Sequence, residues 1–544
     1  MGRMKLSARP LSLLLLLLSL LLPLLLVGAC RSRPETSPPA PPHSPSFDYL
    51  ILGATLYDGS GGPPRVADLG IKGERIEAIG DLARLGGKVE IPARGMILAP
   101  GFIDLHNHSD FPILRKGLRD NLCYLTQGCT TIVTGNCGSG QVDLASYFGR
   151  LAKKGAGTNV AHLIPHGSLR KRAMGGDFNR PPTDEELARM RKLAERAMRE
   201  GAFGMSTGLI YTPGAFASTE EIIEIAKVVG AQGGIYASHI RGEGDHLLEA
   251  VAEALYIGKK AKLPVHISHF KASTPPNWGK VLHSCALVEE AQKNGRRVTV
   301  DQYPYRASST SLGALVMPAW VREGSDADVK RRLQDPKIRA KVAALVRKNL
   351  KDRGGADQIL IARFRGDPSL NGLSVQAAAE KTGMDPVDLA IDIQKRGGAS
   401  AVAFSMSEKD VLYVMKKPYT ATASDGSSKQ RDNSRPHPRS YGTFARKIGR
   451  YSIRRGVLPL SQAIRSSTGL PADILGLKDR GYLRVGLQAD LVLFDPKTFI
   501  DRATFVDPHQ FSTGVLWVFV NGVPAIRDAE PTHALAGKPL RKGK

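Results

Sequence analysis

The chain has 544 residues, of which 42% are hydrophobic and 23% charged. That length exceeds one ordinary domain and accommodates a barrel of about 250 residues plus further units, and the composition excludes a membrane bundle or a disordered chain for its middle. The formal charge is +25, but Lys and Arg are dispersed and no recognition module or clustered basic helix stands out. This argues against nucleic acid as a partner and leaves composition bias or proximity to anionic lipid.

The first 29 residues carry Arg3, Lys5 and Arg9, no acid, a Leu-rich stretch over 11–27 and then Val27-Gly28-Ala29-Cys30. A basic start, an apolar middle and small residues at the end are the three parts of a secretory signal peptide. Small residues leading into a Cys resemble the lipobox of bacterial lipoproteins. The expectation is a signal peptide over 1–29, lipidation of Cys30 and a Pro-rich tether over 30–47. The protein is then an exported bacterial lipoprotein, held at a membrane and facing the periplasm or cell exterior. An uncleaved N-terminal membrane helix is the alternative. Four further cysteines, Cys123, Cys129, Cys137 and Cys285, make no disulfide framework in a chain this long, and metal ligation would protect a thiolate in an exported protein.

From 48 to 97 the sequence predicts short strands separated by turns, such as Tyr49–Leu52, Asp68–Ile71 and Ile76–Ile79. Beyond 97, short apolar runs alternate with helical stretches at 184–199, 219–231 and 244–261. The runs are Ile97–Asp104, Thr131–Thr134, Val160–Pro165, Phe203–Thr207, Ile235–Ser238, Val265–Ser268, Val298–Asp301, Val402–Ser405 and Thr420–Ser424. Such alternation predicts an α/β fold with a parallel sheet under helices, read as a (β/α)8 barrel over 98–480. Nine runs compete for eight places; 402–405 is the suspected extra, and the sequence alone does not decide it. A basic, helix-rich segment over 307–375 reads as an insertion above the catalytic face, where lids sit. After 480, Gly486–Phe494 and Gly514–Val523 return to β character, so 48–97 and 481–530 are expected to build one small β-sandwich.

Ionisable residues cluster where these runs end. The first ends Asp104-Leu105-His106-Asn107-His108, the second Gly135-Asn136-Cys137-Gly138, the fifth Ser238-His239, the sixth Ser268-His269-Phe270-Lys271 and the eighth Ser424-Asp425-Gly426. In a barrel these ends share one mouth. Four imidazoles, a thiol and a carboxylate then face one another, an inventory that suits zinc. A lone His at a strand end is more often a hydrogen-bonded structural residue, and a lone Cys a small buried hydrophobe. The weight lies in five strand ends coinciding.

With Asp58-Gly59-Ser60-Gly61, Pro100-Gly101-Phe102-Ile103-Asp104, Ser206-Thr207-Gly208-Leu209, Tyr303-Pro304-Tyr305 and His437-Pro438-Arg439-Ser440-Tyr441-Gly442-Thr443-Phe444 added, the chain resembles the N-acyl-D-amino-acid deacylase (D-aminoacylase) branch of the amidohydrolases over nearly all of 48–527. The tail motif Ala489-Asp490-Leu491-Val492 fits as well. The resemblance implies a (β/α)8 metal-dependent hydrolase barrel, a β-sandwich from both chain ends and an inserted segment near the active site. It implies a tight zinc site on Cys137, His239 and His269, and a second, weaker site on His106 and His108 that shares Cys137 and Asp425. Asp425 corresponds to the catalytic acid/base, while Lys271, Tyr303 and Arg439 correspond to pocket residues, the last two holding a substrate carboxylate. The implied reaction is hydrolysis of N-acyl-D-amino acids. The chain departs from the family in the charged stretch Ser427–Arg435 and in His269-Phe270, where the family often has two successive histidines. Two other functions compete. A cyclic amidase of the hydantoinase or dihydroorotase type would need a carboxylated Lys at the end of strand four, where Ser206-Thr207-Gly208 stand instead. A lipid-anchored binding protein on the same scaffold would be expected to have lost a ligand, and all are present.

Overall fold

A computed structural model describes residues 46–543. The expected signal peptide, Cys30 and nearly all of the tether lie outside the described residues. Among the described residues no helix is long and apolar enough to cross a membrane.

Eight strands form the barrel: β1 (Phe102–Asp104), β2 (Cys129–Thr134), β3 (Asn159–His162), β4 (Gly204–Gly208), β5 (Ile235–His239), β6 (Val265–Ile267), β7 (Val298–Gln302) and β8 (Thr420–Thr422). Strands β1 to β3 pair in parallel, and the chain just past β3, Ile164–Pro165, carries the pairing to β4. Parallel pairing then runs through β5, β6 and β7 to β8. A parallel bridge between Asn107 and Gly426, beyond the ends of β1 and β8, closes the ring. β2 is buried along its whole length, as a strand covered on both faces must be, which explains its unbroken Thr-Thr-Ile-Val run. The helix Asp184–Arg199 starts at a capping box between Thr183 and Glu186, and Thr219–Ala231 starts at the Ser218 cap, so polar residues punctuate the apolar periodicity at its start.

The run expected as one strand over Ile97–Asp104 is split. Ile97–Pro100 belongs to a nine-stranded sheet, and only Phe102–Asp104 enters the barrel. Gly101 makes the transfer: a Cβ there would lie 2.3 Å from Thr130 Cγ2, so only Gly lets the chain pass this close to β2. The nine-stranded sheet takes five strands from 47–100 and four from 491–531. It folds back on itself, placing Tyr49 5.0 Å from Phe519 between ring centres and joining Ile76 N–H to the Leu487 carbonyl. The expected strand Gly514–Val523 is a hairpin, Val515–Val520 and Val523–Arg527. Its turn residues Asn521 and Gly522 have φ of 49° and 77°, the left-handed pair that a tight hairpin requires.

Between β7 and β8 the chain leaves the barrel. Ala307–Ser311, Ile359–Arg363 and Ser400–Phe404 form a separate antiparallel sheet with Ser400–Phe404 in the middle. The run at 402–405 is therefore not a barrel strand, and the inserted unit extends past 375 to Phe404. It has its own core, with Leu315, Val342, Val346, Ile361, Ile391 and Ala401.

A buried polar network docks the terminal sheet on the barrel. Arg480 pairs with Asp490, and Asp490 accepts from Asn159 Nδ2 of β3 at 2.9 Å and from the Asn521 N–H at 2.7 Å. Asn159 Oδ1 in turn accepts from Asn521 Nδ2 at 2.8 Å and from the Lys538 N–H at 2.9 Å. Removing one partner of a buried ion pair strands the other charge and costs about 3–5 kcal/mol. Asp490→Ala is therefore expected to lower the unfolding free energy by about that amount in urea titration. An unchanged midpoint would show that the network does not hold the two units together.

Candidate metal centre and active site

His106 and His108 follow β1 with one residue between them, so alternation points both rings to the same side. Asp104 fixes this segment. It accepts from the Ser424 N–H at 2.8 Å, the Ser424 hydroxyl at 2.5 Å and Asn107 Nδ2 at 2.8 Å. Cys137 stands three residues past β2, on a turn held by Asn136 Nδ2 donating to the carbonyls of Val133 (2.9 Å) and Leu105 (3.1 Å). His239 is the last residue of β5, and His269 lies two residues past β6, with its N–H on Asp301 Oδ1 at 2.6 Å. Asp425 follows β8, and its N–H donates to the His106 carbonyl at 2.8 Å. Cys137, His269 and Asp425 have φ of 51°, 36° and 50°. Such left-handed non-glycine backbone costs of order 1–3 kcal/mol each and collects at functional sites.

These strand ends converge as two groups that share one sulfur. Ligand atoms of His106, His108, Cys137 and Asp425 all lie within 4.8 Å of one another, as do those of Cys137, His239 and His269. Cys137 Sγ is 3.2 Å from His106 Nε2, 3.5 Å from His239 Nδ1 and 3.7 Å from His269 Nε2, and the last two nitrogens are 2.8 Å apart. His269 Nδ1 is 2.8 Å from Glu243 Oε1, which assigns the proton to Nδ1 and leaves the Nε2 lone pair facing Cys137. Burial and the neighbouring His269 hold His239 well below the usual imidazole range, so it stays neutral. Burial, then the charges of Asp425, Asp301 and Glu243, push the Cys137 thiol well above its ordinary value. Inward-facing lone pairs and a thiol that needs a nearby cation to ionise fit a divalent metal of the zinc type.

Two buried carboxylates, Asp301 and Asp425, and the half-buried Glu243 frame the centre. Burial opposes the charge of Asp425, but Arg439 and then His106 hold it well below the usual carboxylate range. Its Oδ1 is 3.1 Å from His108 Nε2, and its Oδ2 is 2.9 Å from Arg439 Nη1. Glu243 and Asp301 are likewise held low against burial, Glu243 by Lys271 and His269, Asp301 by His106 and His266. Asp301 Oδ2 stands 2.9 Å from His266 Nε2 and 3.4 Å from His106 Nδ1. Neither Glu243 nor Asp301 was assigned a site role from sequence. The available signals were an acid four residues after a strand-end His and an acid near the end of β7.

The pocket residues also meet here. Lys271 Nζ donates to Glu243 Oε1 at 2.5 Å, so it braces His269 through that carboxylate as well as lining the cavity. Tyr303 is buried with its hydroxyl unpartnered, and Lys271 and Arg439 lie 5.7 and 4.8 Å from its ring centre. Arg439 Nη2 donates to the Ser309 carbonyl at 3.1 Å. Two cavities open on either side of Asp425. One of about 510 Å³ includes His108, Cys137, Ser139 and Arg439, and one of about 160 Å³ includes His239, His269, Lys271, Tyr303 and Arg353. Tyr211, Ser309 and Thr310 belong to both walls.

The sequence matches the model of the amidohydrolase family over residues 89–526. It is 37% identical over 522 residues to a D-aminoacylase of Alcaligenes xylosoxydans xylosoxydans, covering 92% of this chain and 98% of that protein. It is 36% identical to an N-acyl-D-glutamate deacylase of the same organism, covering 91% and 97% respectively. Among solved structures, an N-acyl-D-glutamate deacylase from Bordetella bronchiseptica, complexed with zinc and a phosphonate inhibitor, superposes with a TM-score of 0.79 at 33% identity, covering 91% of this chain and 99% of that one. A barrel of this topology, with a cysteine shared between two ligand groups at its mouth, accompanies that similarity along the whole described chain, and the protein belongs to the D-aminoacylase family of amidohydrolases.

Proposed function

We propose that the protein is a zinc-dependent hydrolase that cleaves the amide bond of N-acyl-D-amino acids, or of short peptides ending in a D-residue. The products are a carboxylate and a D-amino acid. The observation that carries this reading is Cys137, set between His106 on one side and His239 and His269 on the other, with Asp425 facing the same space. Cys137, His239 and His269 would hold zinc tightly, and His106, His108, Cys137 and Asp425 would form a second, weaker site. Bound zinc supplies Lewis acidity, polarising a carbonyl and lowering the pKa of water to about 7.

Asp425 accepts the proton of the attacking water and returns it to the departing amine nitrogen. It is ionised before substrate arrives because Arg439 stabilises its charge. Tyr303 and Arg439 hold the substrate's α-carboxylate: the phenol has a hydroxyl to donate, and the guanidinium offers a planar fork. A carboxylate bound at Arg439 competes with Asp425 for that guanidinium, which makes Asp425 more basic as the substrate seats. His269 is kept in register by Glu243, which Lys271 holds in turn, and His106 by Asp301.

We further propose that the chain is exported and anchored by lipid at Cys30. Support comes from the sequence alone: the basic start, the Leu-rich stretch and Val27-Gly28-Ala29-Cys30. Stable attachment takes more than one acyl chain.

Purified protein should contain zinc and hydrolyse N-acetyl-D-amino acids in preference to their L-forms, and a zinc-loaded protein inactive on all of them would refute the reading. Cys137→Ala, His239→Asn and His269→Asn are each expected to lose tightly bound zinc by elemental analysis, whereas His106→Asn should empty the weaker site. Asp425→Asn should keep the tight zinc and lose about 10²–10⁴-fold in kcat; near-normal turnover would remove Asp425 from proton transfer. Mass spectrometry of the mature N-terminus should find acyl groups on residue 30, lost in Cys30→Ala, and an unmodified thiol would end the anchoring proposal.

A further inference from the structure

The smaller cavity contains a cation that the deacylase reading does not use. Arg353 closes the helix Pro336–Asp352 of the inserted unit, and its side chain lines this cavity with Lys271, Tyr303, Tyr211, Ala314 and Leu315. Its Nε–H donates to the Leu315 carbonyl at 3.0 Å. Its four terminal N–H groups have no hydrogen-bond partner, and the guanidinium forms no ion pair, among the described residues. The other cations around the mouth are already answered, Lys271 by Glu243 and Arg439 by Asp425. Burial disfavours the charge of Arg353, with Glu243 and Asp352 acting the other way. This half-buried guanidinium therefore turns an open fork into the cavity, placed to receive two oxygen atoms of a ligand.

We propose that Arg353 binds a second carboxylate on the substrate, making the preferred substrates N-acyl derivatives of the acidic D-amino acids, aspartate and glutamate. The inference rests on the deacylase reading and deepens it. Tyr303 and Arg439 take the α-carboxylate, and the 160 Å³ cavity takes the side chain. Ala314 and Leu315 give its methylene groups an apolar wall, and the guanidinium meets its far end. A planar fork matches a carboxylate by two parallel hydrogen bonds, which neither an amide nor an alkyl group supplies. Overall similarity does not separate the substrate classes, since the D-aminoacylase and the N-acyl-D-glutamate deacylase match at 37% and 36% identity.

The test compares kcat/KM of the full-length protein on N-acetyl-D-glutamate and N-acetyl-D-aspartate with their near-isosteric amides, N-acetyl-D-glutamine and N-acetyl-D-asparagine. The acids should be favoured by about 30-fold or more, the factor expected for a buried charge pair. In Arg353→Gln that ratio should collapse by a similar factor, through KM more than kcat, and Arg353→Lys should restore only part of it. The wild-type comparison stands even if a variant fails to fold. Equal or better hydrolysis of the amides by wild type overturns the proposal, as does an equal loss on acids and amides in Arg353→Gln, which would give Arg353 the α-carboxylate or the fold instead. Failure to hydrolyse any N-acetyl-D-amino acid overturns the deacylase reading itself, and this inference with it.

Discussion

Asp104 holds the seam on which the whole centre depends. β1 and β8 have three residues each, and the barrel closes between them only beyond their ends, at Asn107 and Gly426. The buried Asp104 carboxylate spans this gap by accepting from both polar hydrogens of Ser424 and from Asn107. His106 and His108 leave one side of the seam and Asp425 the other, so the same clasp sets the distance between them. Burial pushes Asp104 up to about 6, and the bonds from Ser424 and Asn107 work against that rise. A carboxylate placed there at such an electrostatic disadvantage is explained by geometry: its two oxygens satisfy four donors from two chain segments at once, the His106 N–H being the fourth.

Charge accounting around the centre points to a cation. Asp301, Glu243 and Asp425 all stay ionised in burial. Lys271 answers Glu243 and Arg439 answers Asp425, but Asp301 meets only histidines. A divalent ion held by Cys137 and the imidazoles would supply the missing positive charge and stabilise the thiolate that the surrounding acids otherwise suppress. The left-handed backbone at Cys137, His269 and Asp425 is consistent with this. Each strained turn brings a donor off its strand axis toward the shared space, and rigid neighbours hold it there.

The sequence made the barrel strands and their chemistry legible for one physical reason. Parallel strands covered on both faces must be continuously apolar, so the first polar residues after each run mark the mouth. His106, His108, Cys137, His239, His269 and Asp425 were found by that signal. The same signal produced a ninth run at Val402–Ser405 and could not by itself remove it, because the central strand of a small antiparallel sheet packed on helices is just as apolar. It also ran two sheets together across Gly101, where the chain changes partner without changing texture. Glu243 and Arg353 stayed hidden because a loop acid or a helix-end Arg carries no period, and only the tertiary fold shows which of many such residues turns inward. Lys271 was placed in the pocket, but its grip on Glu243, and through it on His269, is a contact that no local spacing encodes.

The end of β4 shapes the turn that presents Cys137. In cyclic amidases a carboxylated Lys stands at that position, whereas here Ser206 and Gly208 support the Cys137 turn from behind. The Ser206 hydroxyl accepts from the Gly138 N–H at 3.0 Å and donates to the Gly135 carbonyl at 2.5 Å, clamping both flanks of the turn. A Cβ at Gly208 would lie 2.1 Å from the Cys137 carbonyl oxygen, so any larger residue would push the turn out of place. Two motifs about seventy positions apart, Gly135-Asn136-Cys137-Gly138 and Ser206-Thr207-Gly208, are thus one device: in the second, Ser206 clamps the first and Gly208 leaves room for it to approach. A Lys on β4 would need the space that the Cys137 turn occupies, and a Cys at 137 needs β4 to stay small. The Cys137 turn thus holds its place only while position 208 carries no side chain.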